Sequence, residues 1–480
     1  MRRAEGMRTS FIEQYDNQGG VYVAFDRSST TKSDFACDTD EQFGTKMKGD
    51  VVNASKDADT GTFHTFRLAL SCTGEYGAGA GGGTLAGVMT EFNNTMTRVN
   101  GIFENDFATT MVMIANESDI IHLNPATDPY VGGGLNGELQ AHLTAVIGEA
   151  NYDIGHVFSQ AGNNGNAGCI GCICVDGSKG SAFTQSTVPT GVDFDVDFVA
   201  HEMGHQYGGN HTFTQSNEGT GANLEPGSGS TIMGYAGITG ATDVQPHSDP
   251  YFHFFTIEQV TAHVASRTCD TEAALTQATP TANAGADYTI PSGTAFKLTG
   301  AGTVDGAGAI TYCWEQSDIG GPGNTHPSST DTSGPSFRSL DPTTSPTRYF
   351  PNLPMVMGGS LGVAGTPGDW EVINTVSRDY TFRLTVRDNI AGGGQNKIDD
   401  MAVTVDDTNG AFTVTSQTTA SNWNAGSSET ITWNVAGTNA GAVNSPNVNI
   451  LFTDDNGATF TTLLANTPND GSQSIVAPLI

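Results

Sequence analysis

Eleven consecutive residues restrict this chain more than any other stretch: His201-Glu202-Met203-Gly204-His205-Gln206-Tyr207-Gly208-Gly209-Asn210-His211. His201 and His205 are four apart, so on a helix their side chains leave the same face one turn apart. Two imidazoles so placed can meet one zinc ion at about 2.0–2.1 Å each. Glu202 is offset around the helix, beside the ion without ligating it. Gly208 lets the chain reverse after the helix, and His211 can then return as a third ligand. Three protein ligands leave one coordination position open, the condition for a catalytic rather than a structural zinc. In a chain of this composition the spacing arises by chance about 3 times in 100,000.

The pattern preceding that segment is α/β. Phe63–Ser71, Phe107–Ala115 and Tyr152–Phe158 read as buried strands. Between them, Leu85, Val88, Met89, Phe92, Met96, Val99 and Phe103 make one apolar helix face, and Leu139, Leu143, Val146, Ile147 and Ala150 make a second. A third helix is predicted over Asp193–Gln206, and a fourth from Thr256, capped by its own hydroxyl, to about Ser266. After Cys269 the texture changes. Thr276–Gly285 is linker-like, and period-two runs such as Tyr380–Val386 and Thr430–Val435 then alternate with turn residues, the mark of β-sandwiches. With 480 residues, about three domains are expected. The expected division is 1–62, polar with one strand-like stretch at Gly20–Phe25; 63–275, the α/β domain; 280–406, a first sandwich; and 407–480, a second one short of its last strands. Both ends read as fragment ends, and MRRAEGMRTS holds no apolar signal core.

Charge removes several classes of partner. Nineteen Lys and Arg stand against 51 Asp and Glu, a formal charge of −32, which repels nucleic acid and anionic lipid. No apolar run approaches the roughly 18 residues a membrane span needs.

The His201–His211 segment resembles the metzincin clan of zinc endopeptidases. Over about residues 63–270 the chain looks most like reprolysin-type (adamalysin-like) secreted bacterial members with immunoglobulin-like domains behind the protease. The resemblance implies an α/β catalytic domain with a mixed twisted sheet and an active-site helix, one catalytic Zn²⁺ on His201, His205 and His211, and Glu202 as general base. It implies protein or peptide substrates and an extracellular location. Thr231-Ile232-Met233-Gly234-Tyr235 matches the clan's methionine turn, making Met233 the residue beneath the metal and Tyr235 a transition-state contact; the snake-venom-type reprolysins lack that tyrosine. The resemblance also implies that substrate pairs antiparallel with an edge strand ahead of the active-site helix, for which Ala167–Val175 is the candidate, and that Cys174 pairs with Cys269.

Seven cysteines leave at least one unpaired within the chain. Cys169 and Cys172 can pair with each other, or join Cys174 in a second metal site. Residues 1–62 look like the remnant of a pro-segment, in which Cys37 is a candidate cysteine switch, its thiolate on the zinc as in some relatives; a disulfide partner or buried thiol is the alternative. Cys313, beside Trp314, and Cys72 are equally candidates for the free thiol. His253 is a candidate for the wall of a substrate pocket. Asp406-Asp407 and Asp454-Asp455-Asn456-Gly457 are candidates for Ca²⁺ but lack EF-hand spacing, so solvated turns are the simpler reading. The C-terminal half resembles PKD-like and related immunoglobulin-like modules, which act as spacers or attach enzymes to polymers or cell surfaces. A second class of function is therefore an extracellular adhesin or polymer-binding protein with a decayed protease domain; the intact Glu202 argues against it.

Overall fold

The computed structural model describes residues 10–14, 22–26, 35–39, 57–131, 133–216, 218–306, 308–320, 325–362, 370–419 and 421–479. Its main sheet is mixed, ordered Ala36–Cys37, Asn164–Asn166, Ala182–Gln185, Ile154–Ser159, Thr62–Cys72, Thr109–Met113, with Thr271–Ala274 antiparallel to the start of Thr62–Cys72. The three strands at the far end are parallel, as their crossover helices require. Leu68–Cys72 is buried on both faces, so it reads as an unbroken apolar run rather than an alternation. Phe66, Leu68 and Leu70 pack against the helix Leu85–Phe107 through Phe92, Val99 and Phe103. On the opposite face Ala69 and Val157 meet Leu139 and Leu143 of the helix Leu135–Val146. Thr84 caps the longer helix by accepting from Gly87 N.

The predicted third helix is one continuous element in two registers. Phe194–Ala200 is π-helical and fully buried, and His201–Gln206 continues it as α-helix. Such π segments are rare and concentrate at functional sites. Two expectations need correcting. The last helix starts earlier than predicted, at Phe254, with His253 as its cap and Thr256 buried inside its first turn. Ala167–Val175 is a run of turns, not a strand: Gly168, Gly171 and Cys174 all have positive φ, and a Cys169–Cys172 disulfide closes the tight loop. The edge strand is the segment just before it, Asn164–Asn166, antiparallel to Ala182–Gln185. Cys174 and Cys269 form the second disulfide; Cys37, Cys72 and Cys313 are free thiols.

The C-terminal strands lie in separate sheets. Tyr288–Pro291, Asn396–Asp406, Arg378–Arg387 and Thr311–Gln316 make one sheet, and Phe296–Thr299 pairs with Thr347–Phe350 in another. Trp314, Phe337, Phe350 and Phe382 fill the space between them. Beyond Asp406, Thr413–Val414, Ser428–Asn434 and Ser472–Val476 form a sheet and Asn447–Phe452 pairs with Thr461–Pro468. Tyr22–Asp26 pairs with Ser10–Gln14 at the N-terminal end, while Gly20 and Val21 lie outside the described residues. The candidate calcium carboxylates serve turns: Asp406 accepts from Thr408 and Asn409, and Asp455 from Thr453 and Thr459. No helix among the described residues is long and apolar enough to cross a membrane.

Candidate active site

The helix 194–206 is anchored to the sheet by Gln206, which accepts from the His156 ring at 2.9 Å and donates to Gly155 O at 3.0 Å. Gly208, with φ 105°, turns the chain back, and Gly209 N bonds Gly204 O. Asn210 is then fixed by a reciprocal pair of hydrogen bonds with Gln259 of the last helix. His211 is thereby delivered to the other two imidazoles, its Nε2 3.2 Å from that of His201 and 3.0 Å from that of His205.

The opposite ring atoms explain why those three nitrogens face one another. His201 Nδ1 lies 2.7 Å from Ile232 O, and His205 Nδ1 lies 2.7 Å from Gly209 O. His211 Nδ1 lies 3.1 Å from the Glu218 carboxylate. Carbonyl and carboxylate oxygens only accept, so each Nδ1 carries the proton and each Nε2 presents a lone pair. Burial pushes His201 down to about 3, so it stays neutral. Three converging lone pairs repel unless a cation lies between them. A tetrahedral ion at about 2.0–2.1 Å from each nitrogen would space them about 3.3–3.4 Å apart, close to the spacing found. The donor set therefore fits zinc on chemistry and on size.

A fourth donor comes from a distant part of the chain. Cys37 Sγ is 3.6 Å from His205 Nε2, and the ligand atoms of Cys37, His201, His205 and His211 all lie within 4.8 Å of one another. Ala36–Cys37 forms a strand parallel to Asn164–Asn166, through Ala36 N to Asn163 O and Asp38 N to Gly165 O. Phe35 stacks on Phe198 at 4.1 Å. Burial, and then the charge of Glu202, push the Cys37 thiol up to about 11; a divalent cation held by the three histidines would reverse that balance and favour the thiolate.

Glu202 is fully buried beside this cluster. Its Oε2 accepts from Thr39 Oγ1 at 2.9 Å, and its Oε1 has no hydrogen-bond partner. Thr39 Oγ1 in turn accepts from Ala167 N at 2.8 Å. Burial pushes Glu202 up to about 7, against the opposing pull of Cys37, Thr39 and His211. A Cβ at Gly165 would fall 2.5 Å from the Glu202 side chain, so only glycine lets the edge strand come this close.

Met233 lies under the helix, where a Cβ at Gly204 would sit 2.6 Å from its sulfur. The Tyr235 ring packs 4.5 Å from that of His211, and its hydroxyl donates to Cys37 O at 3.4 Å. Burial holds this phenol well above its ordinary range, so it remains a donor. His253 is not at the site: it faces Glu315 of the first β-module, 3.7 Å away. His247 pairs with Asp197 at 2.8 Å. Cys174 and Cys269 lie away from the cluster and are tied to each other.

Sequence reasoning missed four participants. Thr39, Glu218 and Gly165 have no spacing that marks them. Glu225 is buried and accepts from Thr212 Oγ1 and Thr231 Oγ1, both at 2.5 Å, and from Ser230 N at 2.9 Å. It joins the residue after His211 to the methionine turn. An acidic residue inside an otherwise uncharged stretch, Gly219 to Thr242, was the available signal.

Three imidazoles and a thiol make a cluster that could hold one metal ion, with an unpaired carboxylate oxygen of Glu202 nearby. Residues 62–262, which contain the three histidines and Glu202, match the family model described as metallo-peptidase family M12B, reprolysin-like. A search of curated proteins finds no match to the chain.

Proposed function

We propose that the chain is a zinc-dependent endopeptidase in its latent form, with residues 1–62 acting as a pro-segment and Cys37 as the lock. The observation that carries this reading is the Cys37 thiol among the three imidazoles, with Thr39 on Glu202 at the same time. His201, His205 and His211 would hold the metal, and Cys37 would fill the position that water needs. When bound, zinc supplies Lewis acidity toward water and toward a substrate carbonyl.

Once residues 35–39 leave, Glu202 Oε2 loses its bond from Thr39 and the carboxylate is free to meet water. Glu202 takes a proton from water as it attacks the scissile carbonyl and passes that proton to the departing amine. Tyr235 donates its hydroxyl to the carbonyl oxygen as charge develops there; in the latent form the same hydroxyl meets the Cys37 carbonyl. A substrate pairing antiparallel with Asn164–Asn166 would run opposite to Ala36–Cys37. The direction of the latent strand thus keeps its own peptide bonds out of productive register. Two disulfides suit an oxidising, extracellular setting.

The test uses the purified full chain. Elemental analysis should find one zinc per chain. Casein should be cleaved only after a second protease removes the N-terminal segment, and a chelator should abolish that cleavage until Zn²⁺ is returned. Zinc-loaded, trimmed protein that leaves casein intact would sink the reading. Retention on insoluble polymers without cleavage would then favour an attachment protein.

A further inference from the structure

The segment from Asn223 to Phe254 carries the methionine turn and has almost no regular secondary structure. Its inner side is held by Glu225. Its outer side is held by the first β-module, at both ends and in the middle. Asn223 O accepts from Gly320 N at 2.7 Å, and Gly227 N donates to Thr325 O at 2.9 Å. Ser230 Oγ donates to Ser339 O at 3.0 Å, and the hydroxyls of Tyr251 and Ser339 are 2.7 Å apart. Phe254 N donates to Glu315 Oε2 at 3.0 Å. Arg387, wholly buried, bonds Asp106 Oδ1 at 2.6 Å and Phe252 O at 3.1 Å, while Phe252 N bonds the other Asp106 oxygen.

This is not how a tethered spacer sits. Interfaces between independently moving domains resemble transient protein contacts, whereas here the charges of Arg387 and Asp106 are excluded from water and paired across the boundary. The route to the metal is short. Ser230 is two residues from Ile232, whose carbonyl orients the His201 ring, and Phe252 packs within 3.1 Å of a Cβ placed at Gly204 on the active-site helix. Outer contacts that orient ligating histidines tune metal affinity. We infer that the first β-module is a built-in part of the metal centre, and that Glu315, Ser339 and Arg387 are positioning residues for the segment beneath the ligands. The inference rests on the peptidase reading and places the working unit at about residues 57–406 instead of ending it near 275.

The experiment uses the full chain loaded with zinc, and separately with Co²⁺, in parent, Ser339→Ala, Glu315→Gln and Arg387→Met forms. Metal release to excess chelator is followed, together with the visible spectrum of the cobalt form. Leu143→Ala, in the core on the far face of the main sheet, serves as a destabilised control. Release should quicken about tenfold in Glu315→Gln and Arg387→Met, and about twofold in Ser339→Ala, with shifted cobalt bands, while Leu143→Ala releases at the parental rate. Ser339→Ala keeps the test alive should the charged variants fail to fold. Parental release rates and unshifted bands in the module variants, with only a lower melting temperature, would overturn the inference and leave the peptidase reading standing. A parent that takes up no stoichiometric metal would overturn both.

Discussion

The helix 194–206 and the segment 35–39, with its strand Ala36–Cys37, meet at one cluster and are built in opposite ways. Every residue of the helix is buried, its last carbonyls accept from Gly171 N and Ile173 N, and Gln206 and Met233 fix it to the sheet and to the floor beneath. The strand is a short parallel ladder flanked by bonds from Ala36 N and Asp38 N, with a few side-chain contacts. At about 0.5–1.5 kcal/mol per hydrogen bond and about 1.5–3 kcal/mol for burying Phe35, its non-covalent hold amounts to a few kcal/mol. On the proposed reading the helix is permanent machinery and the strand a removable part, whose strongest hold would be the bond its thiol makes to the metal. Substitutions on each side should therefore differ in kind: on the helix they destroy turnover, and on the strand they release it.

The largest effect is expected on the helix side. Glu202→Gln in trimmed protein should lower turnover by about 10²–10⁴-fold while zinc content and circular dichroism stay parental. A variant that cleaves a fluorogenic peptide at the parental rate would remove Glu202 from its role. On the strand side, Cys37→Ala should make the untrimmed chain active, by about 100-fold over the silent parent, because an intramolecular ligand acts at millimolar effective concentration. If untrimmed Cys37→Ala stays as silent as the parent, the thiol is not the lock and the strand blocks the cleft by bulk alone.

Glu218 sharpens the contrast from a third direction. It belongs to neither segment and meets the outward nitrogen of His211. Glu218→Gln keeps an acceptor for that proton but removes the charge, so zinc affinity should fall about tenfold in a chelator competition, with latency unchanged. Unchanged affinity would mean that the neutral acceptor suffices.

What could be read from the chain follows from how local each feature is. The helix, its ligand spacing and the glycine reversal are encoded within eleven residues. The apolar faces of the two crossover helices are likewise visible in periodicity. The strand partner was not readable, because Ala36 pairs with Asn164 across 128 positions, and nothing in the intervening chain records the register. The edge strand lies one segment ahead of the expected Ala167–Val175. Ala167–Val175 is apolar and cysteine-rich like a strand, yet its positive-φ positions and its disulfide make a knot of turns. Thr256 looked like a cap by composition, but His253 is the residue that leaves the helix, drawn out toward Glu315 of a module whose docking no local pattern announces.

The smallest effect tests whether the strand restrains the base as well as the metal. Thr39 Oγ1 donates to Glu202 and accepts from Ala167 N, so its hydroxyl joins residues 35–39, the Glu202 carboxylate and the residue after the edge strand. Thr39→Val preserves shape and removes both bonds, leaving a buried carboxylate oxygen and a buried amide unpaired in the latent form only. An unsatisfied buried group costs about 1–3 kcal/mol, but water can enter as the strand loosens, so the net weakening should be at the low end. Cys37 in the zinc-loaded, untrimmed variant should then react with a thiol reagent about fivefold faster than in the parent. Thr39→Ser should return it to the parental rate, since serine keeps the hydroxyl and loses only the methyl group. If Thr39→Val leaves Cys37 as slow to react as in the parent, the strand is held without help from the Thr39 hydroxyl. The contact with Glu202 would then be a consequence of docking and not one of its causes.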